Sequence, residues 1–139
     1  MVKLFVDIDA KISSDYTVED YKHDFATLCG LVRTYFGASS YFEASYTIAD
    51  RYSSHVIWGV VVHMDVQKEF FRYANKNFKY NSGFVDLMPY AVHKTLRLPE
   101  CPKVCDNGVF PERTLLLGSN VRIDQVLITS IANFPVYDH

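Results

Sequence analysis

The sequence has few of the features that mark membrane, secreted or disulfide-stabilised proteins. None of its apolar runs approaches the roughly 18 residues that a membrane span needs, and its first residues, MVKLFVDID, lack the basic start and long apolar stretch of a secretory signal. Its three cysteines are an odd number and give no disulfide framework. We therefore expect an intracellular protein in a reducing compartment, neither secreted nor bound to a membrane.

The chain also lacks the positive charge that is typical of proteins with phosphate-rich partners, since its formal net charge is −2. That charge is unevenly distributed: residues 51–103 hold eight Lys or Arg against four Asp or Glu, whereas residues 1–50 hold four against eight. The basic middle indicates either a phosphate-binding region or solvated helix faces. Four of its cations suit solvated helix faces equally well: Lys68, Arg72, Lys76 and Lys79.

A length of 139 residues with 49% hydrophobic positions predicts a single domain, 1–139, with a core of its own. Alternating and helical spacings of apolar residues predict the order β-α-β-β-α-β. This is the plan of ferredoxin/RRM-like folds of the α/β (α+β) class, in which the helices cover one face of an antiparallel sheet and leave the other open. The predicted strands are 3–9, 41–48, 54–63 and 84–86, and the predicted helices are 17–37 and 65–81.

The helices are predicted to start at the N-caps Thr17 and Asp65, and Gly37 is predicted to end the first. The spacing predicts one buried stripe on each helix. The two stripes are Tyr21, Phe25, Leu28, Val32 and Phe36, and Val66, Phe70, Tyr73, Ala74 and Phe78. Arg51 is predicted to lie in the loop between the second and third strands. The third strand is more apolar than the second, so it is predicted to be central in the sheet.

Polar residues fall where the open face of this sheet is expected. Asp7 and Asp9 alternate with the apolar face of the first strand, and Ser53 and His55 share one face of the third. Asp86 would arrive beside them if the fourth strand pairs with the first. Carboxylate oxygens are the ligands that Mg²⁺ prefers, and two such ions are a common solution for phosphoryl and nucleotidyl transfer. Each of these residues alone is a weak signal, because D-x-D pairs and lone histidines are common.

The order of these residues resembles the three motifs of the archaeo-eukaryotic primase (primase-polymerase) superfamily, and is closest to the primase domain of large DNA virus primase-helicases. The motifs are D-x-D in FVDID, S-x-H opening the third strand, and the aspartate of Val85-Asp86. Arg51 lies two residues before the S-x-H, and Tyr90, Arg97 and Lys103 follow Asp86 as in the viral group. The resemblance covers roughly residues 2–103, so residues 104–139 are predicted to be a C-terminal extension of the same domain.

The resemblance implies a nucleotidyltransferase: a DNA primase or DNA-directed primase-polymerase of viral replication that uses NTP or dNTP on a single-stranded DNA template. It implies that Asp7, Asp9 and Asp86 are catalytic and hold two divalent ions, Mg²⁺ or Mn²⁺. It implies that nucleotide is bound by Arg51, Ser53, His55, Arg97 and Lys103. We also expect an excised piece of a longer protein with a helicase domain, active at the replication site of an infected cell, either a cytoplasmic virus factory or the nucleus.

Three other interpretations remain open. A non-catalytic RRM-like module would bind single-stranded nucleic acid through open-face aromatics such as Phe5. Another two-metal enzyme on the same sheet, such as a nucleotidyl cyclase, would need no template. Cys101 and Cys105, with His93 nearby, offer ligands for a structural zinc, although a fourth ligand is not evident.

Overall fold

The computed structural model of the chain describes residues 1–48, 50–81, 83–90, 103–105, 108–110, 116–117, 127–129, 131–132 and 134–137. The described part of the chain has a mixed α/β fold, with antiparallel strands and two α-helices. Two 3₁₀ turns, Asn75–Asn77 and Met88–Tyr90, follow the second helix. The elements are β1 (Val2–Lys11), α1 (Val18–Phe36), β2 (Tyr41–Ile48), β3 (Arg51–Val62), α2 (Met64–Ala74), β4 (Lys103–Cys105), β5 (Gly108–Phe110) and β6 (Leu116–Leu117).

The main sheet has the strand order β1-β3-β2-β6, with every neighbouring pair antiparallel. The predicted central position of the third strand is confirmed, because β3 lies between β1 and β2 and is buried along most of its length. The predicted fourth strand is reduced to one antiparallel bridge between Val85 and Ile8. β4 and β5 form a separate two-stranded ribbon.

Helix α1 confirms its predicted ends. Thr17 and Asp20 form a reciprocal capping box, and Gly37 adopts the left-handed conformation (φ 71°) that ends the helix. The Tyr21 ring lies 5.1 Å from the ring of Tyr52, which is on the same face of the sheet as Ile8. The helix therefore packs on that face. Its buried residues are Asp24, Leu28, Val32 and Phe36, whereas Tyr21 and Phe25 are only partly buried.

Asp24 is a buried carboxylate, 1% exposed, that the apolar spacing did not predict. Its oxygens accept hydrogen bonds from the Tyr16 hydroxyl (2.6 Å) and from the backbone N–H groups of Lys79 (2.9 Å) and Tyr80 (3.0 Å). Burial, followed by the hydrogen bond to Asp24, raises the pKa of Tyr16 well above its ordinary value. One carboxylate thus joins α1 both to the turn directly before it and to the distant loop that holds Lys79 and Tyr80.

Helix α2 differs from the prediction at both ends. It begins at Met64 after the N-cap His63, whose side chain makes no capping hydrogen bond, so Asp65 lies in the first turn and is not the cap. It ends at Ala74, well before Asn81. The predicted stripe is also wrong in part, because Tyr73 is 70% exposed and the buried helical residues are Gln67, Phe71 and Ala74.

Gln67 is buried where its side-chain amide forms hydrogen bonds with backbone groups of β1 and β3. The pairing of β1 with β3 shifts register between Lys3 and Phe5, which interrupts the regular ladder. Near this shift the Gln67 side chain accepts from the Phe5 N–H (3.2 Å) and donates to the carbonyls of Lys3 (3.2 Å) and Val62 (3.1 Å). A polar residue therefore takes the position of an apolar one on the buried face of α2.

Replacing Gln67 with leucine, which has a similar volume, is expected to lower the free energy of unfolding by about 2–4 kcal/mol, because buried N–H and C=O groups lose their partners. Chemical denaturation measures the loss. Lys68→Leu, at the neighbouring exposed position, is the matched control and is expected to change stability by less than about 0.5 kcal/mol. Equal stabilities of the two variants would contradict this role of Gln67.

Strand β3 begins earlier than predicted. Arg51 is its first residue and pairs with Lys11, so the expected loop position of Arg51 is wrong. Arg51, Ser53 and His55 lie opposite the polar β1 residues Lys11, Asp9 and Asp7. This end of β3 therefore resembles a loop in the sequence. No helix in the described part of the chain is long and apolar enough to cross a membrane.

Candidate functional site on the face opposite α1

The register of β1 and β3 brings the two predicted motifs together. Asp7 lies opposite His55, and Asp9 lies opposite Ser53. Because side chains alternate along a strand, these four residues share the face of the sheet that is opposite α1. The convergence predicted from the sequence is therefore present for the first two motifs, although 44 or more residues separate the members of each pair in the chain.

Asp9 holds two contacts on this face. Its Oδ2 accepts from an Arg51 guanidinium nitrogen at 2.8 Å, and its Oδ1 accepts from the Ser53 hydroxyl at 3.2 Å. The hydrogen bond and charge of Asp9 raise the pKa of Arg51 above its ordinary value. The ion pair is half exposed, at 44% for the Arg51 side chain and 45% for Asp9, so it remains within reach of a ligand.

Asp7 and His55 form a more buried pair. The Asp7 Oδ1 lies 3.3 Å from the His55 Nε2, and only 7% of the His55 side chain is exposed. The other ring nitrogen, Nδ1, is buried and has no hydrogen-bond partner among the residues that the structure describes. Asp7 therefore fixes one end of an imidazole whose second nitrogen is not held by a described protein group.

Asp86 reaches the same region through its backbone. Its N–H donates to the Asp7 carbonyl (2.8 Å), and the bridge of Val85 to Ile8 sets Asp86 opposite Asp7. The Asp86 Oδ1 accepts from the Met88 N–H (3.0 Å), which holds the carboxylate in a local turn. The side chain of Asn75 bonds both the N–H and the carbonyl of Val85 at 3.0 Å, and so anchors this segment.

Tyr90 lies close to both Asp7 and Asp86. Its hydroxyl donates to the Phe5 carbonyl, and its ring packs against Phe5 (4.9 Å) and Phe71 (5.8 Å). Burial raises the pKa of Tyr90 well above its ordinary value, and the negative charges of Asp7 and Asp86 add to this effect. Tyr90 thus packs against β1 close to the two carboxylates.

Other predicted site residues fall outside what the structure describes. Arg97, His93 and Cys101 are not among the described residues. Lys103 and Cys105 are the ends of β4, which pairs with β5, and their side chains are likewise outside the description. The roles assigned to these residues stay predictions.

Sequence reasoning missed two polar groups beside the site. Lys11 shares the face of Asp9 and lies opposite Arg51, and its position two residues after Asp9 was the signal that would have found it. Tyr46 of β2 lies opposite Ser53 on the far side of β3. Phe5, which is expected on the open face and available for base stacking, is instead fully buried, and its ring packs against Tyr90.

The donor types of the site suit a hard divalent cation, since Asp7, Asp9 and Asp86 offer carboxylate oxygens and all three residues are at least partly exposed. The arrangement is less open than the sequence predicts. Among the described residues, no group of three or more His, Cys, Asp or Glu side chains is placed to hold a metal ion. Each carboxylate instead contacts a protein group. Asp9 contacts Arg51 and Ser53, and Asp7 contacts His55. Asp86 accepts from the Met88 N–H.

Comparison with known proteins adds no assignment: no protein-family model matches the chain, and no curated protein is significantly similar to it.

Proposed function

We propose that this chain is the catalytic core of a DNA primase or primase-polymerase. On a single-stranded DNA template, such a nucleotidyltransferase transfers the nucleotidyl group of an NTP or dNTP to the 3′-hydroxyl of the growing strand and releases pyrophosphate. The observation that carries the proposal is the cross-strand pairing of the two motifs, Asp7 with His55 and Asp9 with Ser53. A D-x-D and an S-x-H that meet on one sheet face are a far more specific arrangement than either motif alone.

A ferredoxin-like plan is part of the same proposal. The order β1-β3-β2 and the antiparallel bridge of Val85 beside β1 agree with that plan, as does the position of α1 on one face. The opposite face then carries the reacting groups.

In this proposal Asp7, Asp9 and Asp86 hold two Mg²⁺ or Mn²⁺ ions, which would activate the attacking hydroxyl and stabilise the charge of the phosphates. The protein's own cations complete the binding of the triphosphate. Arg51 offers a fork that matches phosphate oxygens, and Ser53 and His55 offer donors beside it. Arg97 and Lys103 retain the roles that the resemblance implies.

The chain's residues mainly position the nucleotide. Arg51 and His55 would orient the triphosphate against the strand that carries Asp7 and Asp9, so that the α-phosphate meets the 3′-hydroxyl in line. Asp86 is fixed beside Asp7 by its own backbone hydrogen bond. Rigid strands therefore supply the precision that the transfer needs.

We further propose that the chain is part of a longer viral replication protein with a helicase domain, working inside the host cell where viral DNA is replicated. The primase resemblance supports this context. The burial of Phe5 removes one aromatic that a non-catalytic single-strand-binding module would use, and catalysis is the function that we favour.

The proposal is tested with a primed single-stranded DNA template, labelled NTP or dNTP, and Mn²⁺. We expect incorporation that is lost when EDTA is added and when the template is omitted. Conversion of nucleotide without template would instead identify a nucleotidyl cyclase, and tight metal-independent binding of single strands without incorporation would identify a binding module.

A further inference from the structure

The acidic and cationic groups of the candidate site contact each other. Arg51 donates to Asp9 at 2.8 Å, and the His55 Nε2 lies 3.3 Å from Asp7. Under the proposed function these side chains serve two different ligands, because Asp7 and Asp9 bind the cation whereas Arg51 and His55 bind the triphosphate. In the ligand-free protein, the groups that would bind the cation are therefore paired with the groups that would bind the triphosphate.

We propose that the Arg51–Asp9 and His55–Asp7 pairs couple the binding of a triphosphate to the binding of a divalent cation, so that each ligand increases the affinity for the other. This inference rests on the proposed function. Whichever ligand binds first must separate the pairs, and the second then finds its groups free. The coupling is reciprocal, as linkage between two ligands requires.

The arrangement of the carboxylates agrees with this coupling. No three acidic or histidine side chains in the described ranges are placed together for a metal ion, although three aspartates lie in one region. Asp7 and Asp9 are held by His55 and Arg51, so a site with free carboxylates forms only when those partners turn to another anion. A triphosphate is the anion that the proposed function supplies.

The exposure of the pairs sets the size of the effect. The Arg51–Asp9 pair is half exposed, and such pairs contribute at most about 1 kcal/mol, which corresponds to about fivefold in affinity. The His55–Asp7 pair is more buried and would increase this factor. A factor of about fivefold is therefore the largest coupling that we expect from the Arg51–Asp9 pair alone, and the His55–Asp7 pair adds to it when both pairs act.

A general field effect would also raise cation affinity when any nearby cation is removed, and the chain offers a matched control. Lys11 lies directly opposite Arg51 in the register, but its ammonium is 4.0 Å from Asp50 and is not paired with Asp9. Lys11→Gln removes the same charge as Arg51→Gln without releasing Asp9. Asp50→Asn likewise matches Asp9→Asn.

The experiment measures two binding constants on the full chain. Mn²⁺ alone is titrated and followed by electron paramagnetic resonance, and we expect Arg51→Gln to bind Mn²⁺ more tightly than Lys11→Gln, by a factor of up to about five. Inorganic tripolyphosphate is titrated in EDTA by calorimetry, and we expect Asp9→Asn to bind it more tightly than Asp50→Asn, by a factor of up to about five. Circular dichroism verifies that all four variants are folded.

The outcomes separate the coupling from the proposed function. The coupling is overturned if Arg51→Gln binds Mn²⁺ no more tightly than Lys11→Gln, or if Asp9→Asn binds tripolyphosphate no more tightly than Asp50→Asn. In that case the proposed function still stands, because the site still binds both ligands. If neither Mn²⁺ nor tripolyphosphate binds the wild-type chain or any variant, both the coupling and the proposed function fail.

Discussion

Replacement of Asp7 and Asp9 together by asparagine is expected to lower template-directed nucleotide incorporation by about a thousandfold or more, since charge stabilisation supplies most of the catalysis in such transfers. Asparagine keeps the shape of the side chain, but its neutral amide gives up the ion pair with Arg51. It does not carry the negative charge that a divalent cation requires. Primer extension in Mn²⁺ measures the loss.

The fold is expected to tolerate this double substitution because Asp7 and Asp9 are partly exposed, at 26% and 45% of their side chains. The melting temperature should shift by only a few degrees. Asp50→Asn is the control, since Asp50 is an exposed carboxylate at the turn before β3 and should leave incorporation within about twofold. Full activity in the double variant, or an equal loss in the control, would contradict the assignment.

The second large effect concerns stability and does not depend on the proposed function. Asp24→Ala is expected to lower the free energy of unfolding by about 3–5 kcal/mol. The substitution removes a buried carboxylate and leaves the Tyr16 hydroxyl and the N–H groups of Lys79 and Tyr80 without their acceptor. Urea denaturation at neutral pH measures the difference.

Glu19→Ala is the matched control for Asp24→Ala, because Glu19 is an acidic residue of the same helix with an 84% exposed side chain and one ion pair, to Lys22. We expect a change of about 0.5 kcal/mol or less in that variant. Tyr16→Phe should fall between the two, since Asp24 keeps its two backbone donors. A loss in Asp24→Ala no larger than in Glu19→Ala would show that the carboxylate does not join the loops to α1.

The sequence predicts those parts of the fold that depend on local spacing. The N-cap Thr17, the end of α1 at Gly37 and the bounds of β2 follow from short-range patterns, and all are confirmed. The burial of Asp24 and Gln67 could not be predicted in this way. Both side chains are buried because they form hydrogen bonds with backbone groups more than 50 residues away in the chain.

The candidate site shows the same division. Alternation along β1 predicts that Asp7 and Asp9 share a face, which the register confirms. It does not reveal that Arg51 belongs to β3 and pairs with Asp9, because polar residues at the start of a strand resemble a loop when their partners are unknown. That ion pair changes the site from a set of free carboxylates to a set of opposed charges.

The most direct test of the proposed nucleotidyl-transfer site is a crystal of the chain soaked with Mn²⁺ and a non-hydrolysable nucleoside triphosphate, examined by anomalous scattering. We expect anomalous peaks at Asp7, Asp9 and Asp86. We also expect Arg51 and His55 to bind the triphosphate in place of their contacts with the aspartates. Nucleotide bound with no ion at these three carboxylates, or bound away from Arg51 and His55, would contradict it.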